Sequence, residues 1–276
     1  MKIPFTKMHG LGNDFILIDC RRIKLGDLPE LSRRLCHRRF GIGADQVLLL
    51  YNSEKADFMM RIFNADGSEV EMCGNGIRCL AKYVWNRALS DKDVLMVETP
   101  AGIMRTEKRS GKWVRVDMGE PVFEGRLIPV KLDGRIKNVP LKIGDREFSI
   151  TCVSMGNPHA VIVLEEVDFF DVMRYGPLIE NHELFPRKIN VEFIQVIDPG
   201  KIKMRVWERG SGETMACGTG AAAAVVAANL NGLTGKKVLV KLPGGELTIE
   251  WNEDNHVYMT GPAEEVFTGE INGKTS

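Results

Sequence analysis

Residues 213–229, "ETMACGTGAAAAVVAAN", decide the fold of this chain. A lone cysteine, Cys217, stands directly before a glycine pair and a run of alanine and valine. That run predicts a helix that is apolar on every side and closed by Gly232. Such a helix must be enclosed, most simply by a curled sheet. Residues 69–85, "EVEMCGNGIRCLAKYVW", repeat the arrangement around Cys73. There Ile77, Leu80, Ala81 and Val84 fall at helical spacing, which predicts one buried face.

Cys73 and Cys217 lie 144 residues apart, and the same offset works elsewhere. It carries Gly12-Asn13 onto Gly156-Asn157, Gln46-Val47 onto Asn190-Val191, Asn64 onto Glu208 and Glu69 onto Glu213. One gapless register relating so many positions marks an internal duplication, each copy near the ~130-residue size of a common domain. Between the helices, "QVLLLYN", "FMMRIFN", "VLMVETP", "WVRVDMG" and "FSITCVS" read as strands bounded by turn residues. "KVLVKLPGGELTIEW" reads as two strands about a Pro-Gly-Gly turn, followed by "VYMTGP" and "EEVFTGEI". The expected fold is α/β of the α+β type, with two pseudosymmetric domains. Each wraps a curled mixed sheet around a buried helix, and the boundary falls near Met118-Gly119.

Composition narrows the function. Lys plus Arg and Asp plus Glu both number 37 in 276 residues, so no basic excess invites nucleic acid or an anionic membrane. The longest apolar run, residues 221–228, is far short of the ~20 residues a membrane span needs. The N-terminus, "MKIPFTKMHGLGNDF", lacks the apolar centre of a signal peptide. Six cysteines in so long a chain make no disulfide framework, so the expected location is a reducing cytoplasm with thiols unbridged.

A helix's first turn leaves backbone N–H groups unpaired and carries partial positive charge. Glycines there let an anion come close. A cysteine at such an end is expected to have its thiolate favoured and its pKa lowered. Two of them, in symmetric units, suggest a pair facing one another across a cleft. That is what a racemase without cofactor requires: one thiolate removes a proton from one face of a stereocentre while the other thiol protonates the opposite face. Helix ends and a water-poor site would stabilise the carbanion.

Other readings are weaker. An isolated cysteine is usually a small buried apolar residue, the role expected of Cys20, Cys36, Cys79 and Cys152. A Cys73–Cys217 disulfide would be an oxidised, inactive form. Zinc is not expected, because Cys73 and Cys79 lack CxxC spacing and no histidine pair accompanies them. "GTGAAA" from Gly218 matches a dinucleotide loop, but no buried strand precedes it and no acid lies near Val238 to hold a ribose.

Together, "KMHGLGNDF", "FGIGADQ", "FNADGSEVEMCGNGIRC", "MGNPHAV", "NVEF" and "WERGSGETMACGTGAAA" closely resemble the diaminopimelate epimerase family from Lys7 to about Ala223. The resemblance implies two pseudosymmetric domains with the active site in the cleft between them. It also implies a C-terminal segment returning to the first domain, giving domains of 1–118 plus 262–276 and 119–261. The implied reaction interconverts LL- and meso-2,6-diaminopimelate without cofactor or metal, in lysine and peptidoglycan precursor synthesis. Cys73 and Cys217 would be the acid/base thiols. Gly74-Asn75 and Gly218-Thr219 would hold the carboxylate at the reacting centre. His159 and Glu208 would set thiol protonation and orient the amino group. The distal amino-acid head would be bound by Asn13, Gln46, Asn64, Asn157, Asn190 and Arg209, whose guanidinium suits a bidentate carboxylate contact. Members of the family can form homodimers.

Two rivals share parts of this pattern. A proline or hydroxyproline racemase would also use paired thiols but has little need of Arg209 and several amides. A non-catalytic amino-acid-binding protein would keep the cleft but gives no reason for two symmetric thiols.

Overall fold

The computed structural model describes residues 2–272. The chain divides into two compact units, Met1–Val116 with Gly261–Ser276, and Asp117–Thr260. Among the described residues no helix is long and apolar enough to cross a membrane.

The first unit begins with β1 (Lys2–Gly10) and β2 (Asn13–Asp19), an antiparallel hairpin. α1 (Leu28–Cys36) follows, capped by Asp27, whose side chain accepts from the Glu30 backbone N–H at 3.0 Å. β3 (Gln46–Tyr51) pairs parallel with β2 and antiparallel with β4 (Phe58–Asn64). Both β2 and β3 are buried along most of their length, which explains their near-continuous apolar sequence. β5 (Glu69–Val70) leads into α2 (Gly74–Asn86), and β6 (Val94–Thr99), β7 (Gly102–Lys108) and β8 (Trp113–Asp117) complete the run.

The second unit repeats this plan. β9 (Val139–Ile143) pairs with β10 (Arg146–Ser154), and β10 forms a hairpin with β11 (Pro158–Val163). α3 (Val172–Glu180) is capped by Asp171, the counterpart of Asp27 at the 144-residue offset. β12 (Asn190–Asp198) pairs parallel with β11 and antiparallel with β13 (Lys201–Glu208). β14 (Gly212–Thr214), α4 (Gly218–Leu230), β15 (Lys237–Leu242), β16 (Gly245–Trp251) and β17 (Val257–Pro262) follow in the same order as their counterparts. Finally β18 (Glu264–Asn272) returns to the first unit and pairs antiparallel with β1, as β9 does with β10.

The duplication is therefore real at the level of pairing. Phe15 lies opposite Gln46 in β2–β3, and His159 lies opposite Asn190 in β11–β12, each residue displaced by the same 144 positions. The two central helices also end alike. Gly232 has φ +72°, its N–H donates to Asn229 O at 2.9 Å, and that of Leu233 donates to Ala228 O at 3.0 Å. This is a Schellman close with glycine where the left-handed conformation is needed. In α2 the same bonds run from Ala88 to Trp85 and from Leu89 to Val84, but Ala88 must itself adopt φ +50°.

As its sequence predicts, α4 is enclosed: residues 220–228 are all buried, against β10, β11, β12, β15 and β16. The aliphatic and aromatic residues around it form much of the second unit's core, while α2 buries Ile77, Leu80, Ala81 and Val84 in the first. The helices α1 and α3 carry no all-round apolar signature and were not read from the sequence. Both span only nine residues; α1 is amphipathic and carries start signals in Asp27, Pro29 and Glu30, whereas Pro177 inside α3 argues against a helix there.

Candidate active site

Each unit places a cysteine at the start of its central helix with nearly the same backbone. Cys73 has φ −139° and ψ 116°. Cys217 has φ −121° and ψ 116°. In both, the residue before the helix stays extended while the next residue turns, so the side chain sits beside the unpaired N–H groups of the first turn.

In the first unit Cys73 Sγ lies 3.6 Å from Asn13 Oδ1. The same oxygen accepts from Asn75 Nδ2 at 3.3 Å, while Asn13 Nδ2 donates to Asp45 at 2.9 Å. Asn13 is thus fixed from two sides. Gln46 and Asn64 stand opposite one another in β3–β4, and Gln46 donates to Asn64 Oδ1 at 2.8 Å. Gln46 Oε1 is buried with no hydrogen-bond partner. Asn64 in turn donates to the Ser68 hydroxyl at 3.0 Å.

Beneath this helix start the floor is apolar. A Cβ on Gly76 would meet Leu48 at 3.0 Å and Phe15 at 3.5 Å, so glycine allows the first turn to seat on β2 and β3. The exception is Arg78, fully buried in α2. Its guanidinium donates to Asn75 Oδ1 at 3.0 Å, Gly74 O at 3.2 Å and Pro262 O at 3.2 Å. Burial lowers its pKa to about 10, which still leaves a cation at neutral pH.

The second unit differs under the same scaffold. His159 and Glu192, both wholly buried, face each other at 2.7 Å through Nδ1 and Oε1. His159 Nε2 is 2.9 Å from Asn157 Oδ1, Asn157 Nδ2 donates to Thr219 Oγ1 at 3.2 Å, and Thr219 Oγ1 is 3.5 Å from Cys217 Sγ. Glu208, accepting from the Thr214 hydroxyl, is pushed up by burial, with a hydrogen bond from Cys217 acting against the rise. Asn190 is a clamp: Nδ2 donates to Pro158 O at 2.8 Å, and Oδ1 accepts the Arg209 backbone N–H at 2.9 Å. The Arg209 side chain is exposed, with one contact to Arg187 O at 3.2 Å.

A lowered pKa is the expectation for both helix-end cysteines, and Cys217 contradicts it. Complete burial, then the charges of Glu208 and Glu192, push its thiol well above the ordinary range. The Thr219 hydroxyl and the Gly220 N–H pull the other way without prevailing. A helix end favours an anion only while solvent or cations share the charge, and here carboxylates surround it. The cysteines assigned to packing behave accordingly. Cys20, Cys36, Cys79 and Cys152 are buried, and burial raises the pKa of each. Among the described residues no group of three or more His, Cys, Asp or Glu is arranged to hold a metal ion.

Two buried charges near these cysteines were missed in the sequence: Arg78 in α2 and Glu192 in β12. Each had a visible signal, a charge inside an apolar run, in "GIRCLA" and "NVEFI". A charge in such a place is buried, and a buried charge needs a partner.

The chain matches the family model described as diaminopimelate epimerase over residues 5–124 and 151–266. It belongs to the diaminopimelate epimerase family. Membership makes the protein an epimerase, and therefore an isomerase. Diaminopimelate epimerase of Pelotomaculum thermopropionicum is 56% identical, over 98% of this chain and 99% of its own. The enzyme of that name from Acetivibrio thermocellus is 54% identical, over 97% and 98% respectively. Among solved structures, a hydroxyproline epimerase from Agrobacterium vitis with bound trans-4-hydroxy-L-proline superposes with a TM-score of 0.69 at 15% identity, over 98% of this chain and 93% of that one. That likeness establishes a shared fold of two similar domains and nothing about substrate.

Proposed function

We propose that this protein interconverts LL- and meso-2,6-diaminopimelate by a two-thiol mechanism without cofactor, in the synthesis of lysine and peptidoglycan precursors. The observation that carries the mechanism is the pair of cysteines, Cys73 and Cys217, held at matching helix starts in duplicated units. In each turnover one sulfur, as thiolate, takes the α-proton from one face of the carbon. The electron pair left behind is delocalised into the adjacent carboxylate, and the other sulfur, as thiol, protonates the opposite face. The enzyme then holds the reverse protonation pattern and is reset by exchange with solvent or by reaction of the other stereoisomer.

The remaining roles follow from chemistry at each position. Backbone N–H groups at Gly74-Asn75 and Gly218-Thr219 receive the reacting carboxylate and stabilise its added charge. Glu208, with its raised pKa, shares the Cys217 proton and orients the amino group, and His159 tunes the same sulfur. Asn13, Gln46, Asn64, Asn157, Asn190 and Arg209 bind the distal head. Gln46 Oε1 has an acceptor to spare for an ammonium group, and the exposed Arg209 guanidinium can close on a carboxylate. The reading extends to a cytoplasmic enzyme that works as a homodimer.

The test is incubation of reduced protein with LL-diaminopimelate in deuterated water. Deuterium should enter the α-carbon as the meso isomer forms. Absence of exchange refutes the mechanism, and turnover of L-proline in its place refutes the substrate.

A further inference from the structure

One buried carboxylate of the second unit has no task in the mechanism above. Glu192 lies in β12 between Val191 and Phe193, with its side chain wholly buried. One oxygen meets His159, and the other, Oε2, has no hydrogen-bond partner. The matching position in the first unit is Leu48, and the partner of Glu192, His159, matches Phe15. The scaffold therefore accepts hydrocarbon at both places. Burying an ionisable pair where an apolar pair fits is commonly neutral or unfavourable for stability, so stability does not explain Glu192.

Its position does. A Cβ added to Gly220 would lie 2.7 Å from Glu192 Oε1 and 3.3 Å from Cys217 Sγ, so carboxylate and sulfur reach towards the same point. From Glu192 an unbroken series of contacts runs through His159, Asn157 and Thr219 to that sulfur, at 2.7, 2.9, 3.2 and 3.5 Å. The titratable groups facing Cys217 are Glu208 from β13, Glu192 from β12 and His159 from β11.

We infer that Glu192 is a positioning residue for Cys217, holding the ring of His159, and through it Asn157 and Thr219, in place against the sulfur. The inference rests on the two-thiol mechanism proposed above. Its carboxylate also opposes a second negative charge on the neighbouring sulfur, so the proton stays on Cys217 until substrate arrives. Glu192 touches no reacting atom. Its main effect falls on proton transfer at Cys217, with a smaller one on binding through Asn157 and Thr219.

The test uses the full chain with Cys73→Ala, Glu192→Gln or Glu192→Leu, the last being the residue the first unit carries at this register. The probe for the sulfur is iodoacetamide, with Cys217 alkylation followed by peptide mass against pH. In the Cys73→Ala background, adding either Glu192 substitution should lower the alkylation midpoint by on the order of one pH unit, the scale expected for removing a charge at this range. In the otherwise native chain either should cut kcat by roughly tenfold or more, a larger change than any in KM. An unchanged midpoint with unchanged kcat in folded protein, or a rise confined to KM, overturns the inference. A lower melting temperature alone also overturns it, because that is the mark of a merely structural residue. Alkylation is read without substrate. Failure of native protein to exchange deuterium would thus refute the mechanism, while an unmoved midpoint would refute the role of Glu192.

Discussion

The paired helix ends allow a test in which one fold supplies its own control. Ala88 holds φ +50° in the position where the duplicate carries Gly232 at φ +72°. For a residue with a Cβ, the left-handed conformation costs roughly 1–2 kcal/mol. Introducing glycine loosens the unfolded chain and returns roughly 0.4–1 kcal/mol of that. Ala88→Gly should therefore stabilise the protein by about 0.5–1 kcal/mol, and Gly232→Ala should destabilise it by a similar amount. Nothing lies within 4 Å of a Cβ on Gly232, so the loss there is conformational and not steric. Urea unfolding followed by circular dichroism reads both, with midpoints moving in opposite directions and slopes unchanged. Midpoints that shift in the same direction, or a loss of stability in Ala88→Gly, would show that the two helix ends are not equivalent.

Replacing Cys73 or Cys217 by Ala should abolish epimerisation while the circular dichroism spectrum is kept, because each face of the carbon needs its own proton carrier; near-normal turnover in either variant counts against the mechanism. Glu208→Gln removes one of the charges that hold the Cys217 proton, so alkylation of that sulfur should set in at lower pH than in the native chain. Asp14 supplies an acid-stability prediction. Burial would raise its carboxyl, but Arg38 and Lys7 hold it down to about 2 from an ordinary 3.8. A lowered folded-state value contributes stability above the unfolded value that is lost as pH falls through the folded one. The urea midpoint should decline between pH 4 and 2, and Asp14→Asn should flatten the decline; an equally steep fall in the variant sinks the assignment. Arg78→Leu strips donors from Asn75, Gly74 and Pro262 and should destabilise by roughly 3 kcal/mol or more in the same assay.

Much of the architecture was legible because duplication turns a weak local signal into a repeated one. A single "CGTG" before an alanine run is ambiguous, but two such starts in one register with Asn13, Asn157, Gln46 and Asn190 are not. The strand "QVLLLY" was readable as a continuous apolar run paired parallel with β2, and "FSITCV" as an alternation of apolar and hydroxyl residues between turn signals. Helices α1 and α3 went unread: α1 although it carries a period and start signals at Asp27, Pro29 and Glu30, and α3 because Pro177 inside it argues against a helix there. The electrostatics were the least visible. That Cys217 sits among carboxylates depends on β11, β12 and β13 converging beneath α4, and no spacing in the sequence records it. Helix-end position alone therefore gave the wrong direction for its acidity.

The contrast between Phe15 with Leu48 and His159 with Glu192 reaches beyond either helix. Doubling the N-terminal half would yield two sulfurs each set beside an amide above an apolar floor, and doubling the C-terminal half would yield two facing acids. Either assembly would make the two sulfurs chemically alike, whereas the present chain gives them different surroundings. The two halves of the chain, alike in backbone, are therefore not interchangeable.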